Sequence, residues 1–149
     1  MALQTGDQVP AFSTTNQLGE TVTAQDLLGK KVVLYFYPKD STPGCTAQAC
    51  DLRDHYDVLL AQGYTVLGIS PDSEKSHQKF KAKFDLPFDL LADVDHTLAE
   101  AFGVWVEKSM YGKTYMGIAR TTFICDEAGK VVEVISKVDT KAHTAQILK

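Results

Sequence analysis

The sequence is poor in cysteine and has no long hydrophobic segment. Only three of its 149 residues are cysteine, far below the density of a small secreted disulfide scaffold, and an odd number cannot all pair within one chain. No apolar run approaches the roughly 20 residues that a transmembrane helix requires, and the N-terminus lacks the basic start and apolar stretch of a signal peptide. We therefore expect a cytoplasmic protein with no membrane association and no need for structural disulfides.

Basic residues are also outnumbered. Fifteen Lys and Arg against nineteen Asp and Glu give a formal net charge of −4, with no block of Lys or Arg. Because affinity for nucleic acids comes mostly from neutralising phosphates, we expect no nucleic-acid partner. The length is that of one domain, which buries roughly 70% of its unfolded surface. No linker or repeat divides the chain, so we predict a single domain over residues 1–149.

Two continuous apolar runs, Val32–Tyr37 and Tyr64–Ser70, are typical of strands buried on both faces of a sheet. Between them, the residues from Cys45 to Gln62 have the apolar spacing of a helix that stops at Gly63. Weaker signals predict strands at 11–13, 20–23 and 88–91, a helical turn at 26–28, a helix capped by Asp72 or Ser73, a short helix capped by Asp95, a hairpin of 121–126 with 130–136, and a last helix over 140–149.

The order of these elements predicts an α/β protein, because strands alternate with helices. Helical crossovers imply a largely parallel sheet, to which the closing hairpin adds an antiparallel pair. A thioredoxin-like fold, with a central mixed β-sheet flanked by helices, fits this order well. A flavodoxin-like sheet is the alternative, since both folds begin with similar βαβ units.

The first cysteine, Cys45, lies where a helix is predicted to begin. It follows a buried strand and a turn that contains Pro43 and Gly44, a position at which α/β sheets form ligand sites. A helix N-terminus carries about half a positive charge and several unpaired N–H groups, and both favour a thiolate over a thiol. One helix terminus supplies only part of the stabilisation that a reactive thiolate needs, so we expect a second positive group nearby.

The second cysteine, Cys50, follows Cys45 by five residues in the same predicted helix. Helix geometry separates the two Cα atoms by roughly 8.6 Å, whereas a disulfide requires about 4.4–6.8 Å. The pair therefore cannot form a disulfide in an intact helix. Either Cys50 is a buried apolar residue, or the first turns of the helix unwind to bring it to Cys45.

The remaining candidate ligands predict no metal site and no bound cofactor. Cys125 lies in a strand-like run and is best interpreted as a buried apolar residue. None of the four histidines is spaced with the cysteines as in a zinc finger, and each is interpreted as a solvated surface residue; they are His55, His77, His96 and His143. A copper site of two cysteines and a distant histidine stays open, with little support from the spacing.

Two sequence blocks resemble a known family. The motif Pro38-x-x-x-Thr42-x-x-Cys45 is similar to the active-site motif of the peroxiredoxins, and Cys50 five residues later is typical of their bacterioferritin comigratory protein / peroxiredoxin Q branch. The block from Trp105 to Ile124 also resembles that branch. The similarity covers nearly the whole chain.

The resemblance implies a thiol-dependent peroxidase. In that interpretation Cys45 attacks hydrogen peroxide or an organic hydroperoxide and becomes a sulfenic acid, and Cys50 resolves it as an intramolecular disulfide that thioredoxin or a similar dithiol reduces. Arg120 supplies the missing positive charge and polarises the peroxide. Thr42 hydrogen-bonds the thiolate and the peroxide, and Pro38 limits access of water. The resemblance further implies no metal, haem or flavin, and a monomer or weak homodimer.

One position departs from the pattern: the branch often has Glu three residues after the reactive cysteine, where this chain has Gln48. Other functions also stay open. A thioredoxin-like thiol–disulfide oxidoreductase would require C-x-x-C, but Thr42 stands three residues before Cys45. A copper-binding metallochaperone and a non-catalytic, redox-regulated binding domain are the alternatives outside enzymatic redox chemistry.

Overall fold

A seven-stranded mixed sheet forms the centre of the protein in a computed structural model, which describes residues 2–148. The strands are β1 (Ser13–Asn16), β2 (Thr21–Thr23), β3 (Lys31–Phe36), β4 (Tyr64–Ser70), β5 (Asp89–Ala92), β8 (Thr121–Cys125) and β9 (Val131–Ile135), with β6 (Trp105–Met110) and β7 (Lys113–Ile118) in a separate hairpin. The helices are α1 (Pro43–Asp54), α2 (Tyr56–Ala61), α3 (Glu74–Phe84), α4 (Thr97–Ala101) and α5 (His143–Leu148), and a 3-10 helix covers Ala24–Leu27.

The strand order is β2-β1-β5-β4-β3-β8-β9. Only β3 with β4 and β4 with β5 pair in parallel, whereas β1–β2, β1–β5, β3–β8 and β8–β9 are antiparallel. The prediction of a central mixed sheet flanked by helices is confirmed. The expectation of a largely parallel sheet is wrong outside β3–β4–β5, because the N-terminal hairpin also joins the edge. The antiparallel β8 beside β3 excludes the flavodoxin-like alternative.

Strand β3 separates two hydrophobic cores, because successive side chains point to opposite faces of a sheet. Val33 and Tyr35 belong to the core under α1, α2, α3 and α5. Val32 and Leu34 belong to the core on the other face, which α4 covers. The helix that carries Cys45 therefore packs on the face occupied by four of the five α-helices among residues 2–148.

The helix predicted from Cys45 to Gln62 is two helices in the structure. The first begins two residues earlier, at Pro43, and ends at Asp54, and the second starts at Tyr56. His55 between them has φ −118° and ψ 16°, outside the helical range. The apolar spacing continues across this break, which is why the sequence predicted one continuous helix.

Other differences lie at the edges of the fold. The first strand begins at Ser13 rather than at residue 11, and the last helix begins at His143 rather than at residue 140; the predicted end of that helix, Lys149, lies outside the described residues. The β6–β7 hairpin was not predicted. Its turn at Tyr111-Gly112 has φ values of 52° and 78°, an arrangement typical of a tight hairpin turn.

No helix within residues 2–148 is both long enough and apolar enough to cross a membrane.

Candidate active site

Cys45 is the third residue of α1, and its side chain is 2% exposed. Thr42 is the N-cap in an extended conformation and Pro43 opens the helix, which suits the first position because proline has no N–H to satisfy there. The cysteine packs in the core that contains Tyr35 and Ala49. Its prediction as a residue of the first helical turn is confirmed.

Arg120 brings a positive charge to the cysteine. It directly precedes β8, and its Nη2 donates to Cys45 Sγ at 3.3 Å. Its Nη1 donates to the Gln48 side-chain oxygen at 2.7 Å. Among residues 2–148, no carboxylate forms an ion pair with this guanidinium. The charge of Arg120 is therefore available to a thiolate at Cys45 with no competing anion in contact.

Gln48, one turn after Cys45 in α1, is completely buried. Its amide oxygen orients Arg120, while its Nε2 has no hydrogen-bond partner within the described chain. A glutamate here would form an ion pair with the guanidinium, but the neutral amide only orients it. The departure from the family pattern thus lies in direct contact with Arg120.

Thr42 and Pro38 belong to the segment between β3 and α1, and both are half-buried. The Thr42 hydroxyl donates to the Lys39 carbonyl at 2.8 Å, and the Thr42 carbonyl accepts from the Thr46 N–H at 2.8 Å. The structure therefore joins Cys45 to Arg120 by a direct contact, while it engages the Thr42 hydroxyl with the loop backbone.

Tyr35 is a residue of the site that the sequence did not reveal. It is buried on β3, and burial, followed by the negative charge at Cys45, raises the pKa of its hydroxyl well above its usual value. The ring tip lies against Gly68, where a Cβ would stand 2.8 Å from Tyr35 Cζ and Oη. Only glycine leaves room for this packing, so Gly68 allows the Tyr35 ring to take this position. Tyr35 lies within a continuous apolar run, so the sequence pattern predicted a buried strand residue and did not indicate a role for its hydroxyl near Cys45.

Lys108 is a second cation near the site that sequence reasoning missed. Burial and the charge of Arg120 lower the pKa of its amine, while the charge at Cys45 opposes that shift. Its aliphatic chain covers Gly117 on the neighbouring strand. Recognising the β6–β7 hairpin before Arg120 would have placed this lysine near the same end of the sheet.

All three cysteines are free. Cys50 is half-buried in α1 together with Cys45, so the prediction that both lie in one helix is confirmed. Cys125 is buried in β8, as predicted, and burial with the neighbouring Asp126 carboxylate raises the pKa of its thiol to about 12.

The interpretation of every histidine as a surface residue is wrong for two of the four. His77 and His143 are completely buried, whereas His55 is exposed and His96 is half-buried. Burial lowers the pKa of His143, consistent with a neutral ring that donates from Nδ1 to Gln146 and accepts the Thr122 hydroxyl at Nε2. The helical positions of these histidines gave no sign of polar partners on other elements.

Comparison with known proteins identifies the family. Residues 5–134 match the AhpC/TSA family. The chain is 49% identical over 148 residues to a putative peroxiredoxin Bcp of Coxiella burnetii, with 99% of this chain and 98% of the relative aligned. It is 47% identical over 149 residues to peroxiredoxin Bcp of Bacillus subtilis, covering 100% of this chain and 95% of the relative.

Solved structures of related proteins have the same fold as this chain. A structure of the bacterioferritin comigratory protein of Xanthomonas campestris, solved in work on its alkyl peroxide reduction activity, superposes with a TM-score of 0.87 at 39% identity, covering 92% of this chain and 87% of that one. The two structures therefore match over nearly the whole length of this chain. The thioredoxin-like fold is therefore confirmed, and the chain belongs to the AhpC/TSA family as a peroxiredoxin of the Bcp / peroxiredoxin Q branch.

Proposed function

We propose that this peroxiredoxin reduces hydrogen peroxide and organic hydroperoxides with Cys45 as its nucleophile. The observation that carries the proposal is the 3.3 Å contact between Arg120 Nη2 and Cys45 Sγ at the first turn of α1. A cation and a helix N-terminus at one sulfur stabilise the thiolate, which is the reactive form. The alkyl peroxide reduction activity of the Xanthomonas campestris relative supports an organic hydroperoxide as one substrate.

In the first step, the Cys45 thiolate attacks one oxygen of the O–O bond. The new S–O bond gives a sulfenic acid, and the other oxygen leaves as hydroxide or alkoxide, which takes a proton to become water or an alcohol. Arg120 stabilises the charge that develops on the leaving oxygen, since its guanidinium is already oriented by Gln48. We propose Pro38 as an apolar cover of the site, and Thr42 as a hydrogen-bond donor to the peroxide once its hydroxyl leaves the Lys39 carbonyl.

In the second step, Cys50 attacks the sulfenic acid, forming a Cys45–Cys50 disulfide and releasing water. Because α1 holds the two Cα atoms roughly 8.6 Å apart, its first turns must unwind. The far end of the helix is held by α5: the Thr144 N–H donates to the Asp51 carboxylate at 2.7 Å. Unwinding is therefore expected on the N-terminal side of Asp51.

In the third step, an external dithiol reduces the disulfide by thiol–disulfide exchange, which restores both thiols without any metal or organic cofactor. We propose thioredoxin or a related dithiol as this reductant. Cys50 would be dispensable if external thiols resolved the sulfenic acid instead: the first would form a mixed disulfide with Cys45 and release water, and the second would reduce that disulfide.

The decisive experiment is peroxide turnover coupled to a thioredoxin system, followed by mass mapping of the oxidised protein. We expect a Cys45–Cys50 disulfide in the wild type. In Cys50→Ser, Cys45 should still be oxidised at the wild-type rate while turnover with thioredoxin falls strongly. Cys125→Ser is the control, and it should keep both the wild-type rate of Cys45 oxidation and the wild-type turnover with thioredoxin.

Two results would contradict the proposal. Peroxide reacting with Cys45 no faster than with a free thiol would exclude the peroxidase, and a disulfide that includes Cys125 would exclude the assigned resolving cysteine.

A further inference from the structure

Beneath the loop between β3 and α1 lies a buried polar network that takes no part in the chemistry above. Asp40, 6% exposed, is its centre. One carboxylate oxygen accepts the Tyr37 hydroxyl at 2.6 Å; the other accepts the Ser76 hydroxyl at 2.8 Å and lies 2.7 Å from His77 Nδ1. The Asp40 N–H donates to the Asp72 carboxylate at 2.7 Å. Four hydrogen bonds thus fix one loop residue.

His77 in α3 is completely buried, and each of its nitrogens faces an oxygen acceptor. Nδ1 faces the Asp40 carboxylate, and Nε2 lies 2.9 Å from the Leu91 carbonyl in β5. Nε2 therefore donates to the Leu91 carbonyl, and Nδ1 is joined to the Asp40 carboxyl group by one hydrogen bond. The result is a buried histidine–carboxyl pair that ties the loop to α3 and β5.

The side chains of Asp40, Asp72 and His77 also bring three potential metal-ligand atoms within 4.8 Å of one another. Each residue already has hydrogen-bond partners: His77 Nε2 faces Leu91, and the Asp72 carboxylate accepts the Ser70 hydroxyl at 2.6 Å. Hydrogen bonds within the protein already satisfy the side-chain atoms that would bind a cation, so we assign no metal to this network.

The network bears on the distance between Cys45 and Arg120. Arg120 is placed by the sheet, because β8 pairs with β3 along its whole length, from Cys125 opposite Val32 to Thr121 opposite Phe36. The start of α1 follows the loop after β3, so the loop sets where the helix begins, while core packing of Cys45 and Ala49 and the Arg120–Gln48 hydrogen bond hold its first turns.

Within that loop, the residue after Asp40 has an uncommon backbone conformation. Ser41 has φ 63°, which non-glycine residues rarely adopt. The chain turns at this position between the anchored Asp40 and the N-cap Thr42, so the direction in which α1 begins depends on where Asp40 is held.

We propose that the Asp40–His77 pair is a positioning element for Cys45, which holds the loop so that α1 begins with its sulfur within reach of Arg120. The inference rests on the proposed peroxidase function. The Asp40–His77 hydrogen bond holds the chain before α1, whereas disulfide formation requires residues 43–50 to rearrange. Loss of this hydrogen bond therefore slows the attack of Cys45 on peroxide but does not slow the formation of the disulfide.

Two conservative variants of His77 separate positioning from packing. In His77→Asn the amide nitrogen replaces Nδ1 and still donates to Asp40, while in His77→Gln it replaces Nε2 and donates only to Leu91. Both remove the imidazole ring from the same buried position. His55→Asn, at an exposed histidine, controls for the loss of a histidine elsewhere.

The rate constant of Cys45 oxidation by peroxide and the rate of Cys45–Cys50 formation are measured by acid quench and mass spectrometry. Because a hydrogen bond to a charged group is at stake, we expect His77→Gln to lose about tenfold or more in the first rate and His77→Asn to lose distinctly less. The disulfide step should not slow in either variant.

Equal losses in both variants, a larger loss in His77→Asn, or parallel slowing of both steps would overturn the positioning role. A wild type that reacts with peroxide no faster than a free thiol would instead overturn the proposed function, and the two failures are thus distinct. If neither His77 variant folds, Ser76→Ala removes a single hydrogen bond to Asp40. It should slow oxidation about threefold without slowing the disulfide step, and an unchanged rate would exclude the proposal.

Discussion

Cys45 and Cys125 are almost equally buried, at 2% and 4% exposed, but their surroundings differ in charge. Cys45 accepts a hydrogen bond from Arg120 at the start of a helix. Cys125 lies in a strand beside Asp126, and burial with this carboxylate raises the pKa of its thiol to about 12. Burial and a neighbouring carboxylate thus disfavour a thiolate at Cys125, whereas the Arg120 contact at a helix start distinguishes Cys45 as the candidate nucleophile.

The two environments are set by the same strand. Successive residues of β8 point to opposite faces of the sheet, so Ile124 belongs to the core under α1 and Cys125 to the core on the other side. Arg120, an even number of residues before Ile124, contacts Cys45 on the α1 face. Because side chains alternate between the two faces of the sheet, the Arg120 guanidinium lies on the same face as Cys45 and on the opposite face from Cys125.

The largest expected effect comes from removing each thiol in turn. Cys45→Ser should abolish peroxide turnover, because a hydroxyl at this position is not ionised near neutral pH. Cys125→Ser should turn over peroxide at the wild-type rate, measured with the thioredoxin-coupled assay. Substantial activity in Cys45→Ser would mean that another thiol attacks the peroxide.

The second effect is a difference in alkylation. With a pKa of about 12, roughly one Cys125 thiol in 10⁴ is ionised at pH 8. Native protein treated with iodoacetamide at pH 8 should therefore carry label at Cys45 and none at Cys125, read by peptide mass spectrometry. Protein unfolded in urea is the control, and all three cysteines should then react. Label at Cys125 in the native state would show that its burial is incomplete.

The same thiol makes stability dependent on alkaline pH. Its pKa is raised to about 12 in the folded chain but is about 8.5 when unfolded. The folded state retains a proton that the unfolded state releases. The free energy of unfolding is therefore unaffected by this thiol below about pH 8.5 and falls as pH rises toward about 12. Urea unfolding between pH 7 and 10.5 should show a shallower decline in Cys125→Ala, and an equal decline would exclude this contribution.

A smaller effect is expected from removing the cation. Arg120→Met should lower the rate constant of Cys45 with peroxide by about 10- to 100-fold, the value of one or more hydrogen bonds to a charged group. Arg53→Met, on the same helix as Cys45 but paired with Asp54, is the matched control and should react at the wild-type rate. An Arg120 variant with wild-type kinetics would remove the distinction between the two cysteines.

The smallest effect is assigned to the second cation. Lys108→Met should slow the peroxide reaction by about threefold, because its charge acts at a distance and is partly screened by solvent. Lys113→Met, in the exposed part of the paired strand, is the control. A tenfold loss at Lys108 would place its amine in contact with the reacting groups.

Much of this site could be predicted from short-range sequence patterns. A helix start close to Cys45, the first-turn position of that residue and the burial of Cys125 follow from turn residues, apolar spacing and strand composition, although the helix begins two residues earlier than predicted, at Pro43. The roles of Arg120 and Thr42 came from family resemblance, since a lone arginine at a strand end has no distinctive pattern. The geometry brings Arg120 to the sulfur but engages the Thr42 hydroxyl with Lys39.

The errors concern features that no local pattern encodes. The break at His55 interrupts an apolar spacing that itself continues. The β6–β7 hairpin, which carries Lys108, depends on a tight turn of two residues in the left-handed region. The burial of His77 and His143 was missed because their partners lie on other elements, at Asp40 and Thr122.

The sequence by itself determined which residues could do the chemistry: a cysteine at a helix N-terminus, a second one five residues later, and a third inside an apolar strand. Local backbone preferences and apolar periodicity act over a few residues, and they are readable without the fold. The tertiary structure decided which charges meet those thiols. Arg120 lies 75 residues from Cys45, and His77 lies 37 residues from Asp40. Contacts over such separations are formed by sheet pairing and helix packing, and they add to one buried cysteine the positive charge that the other lacks.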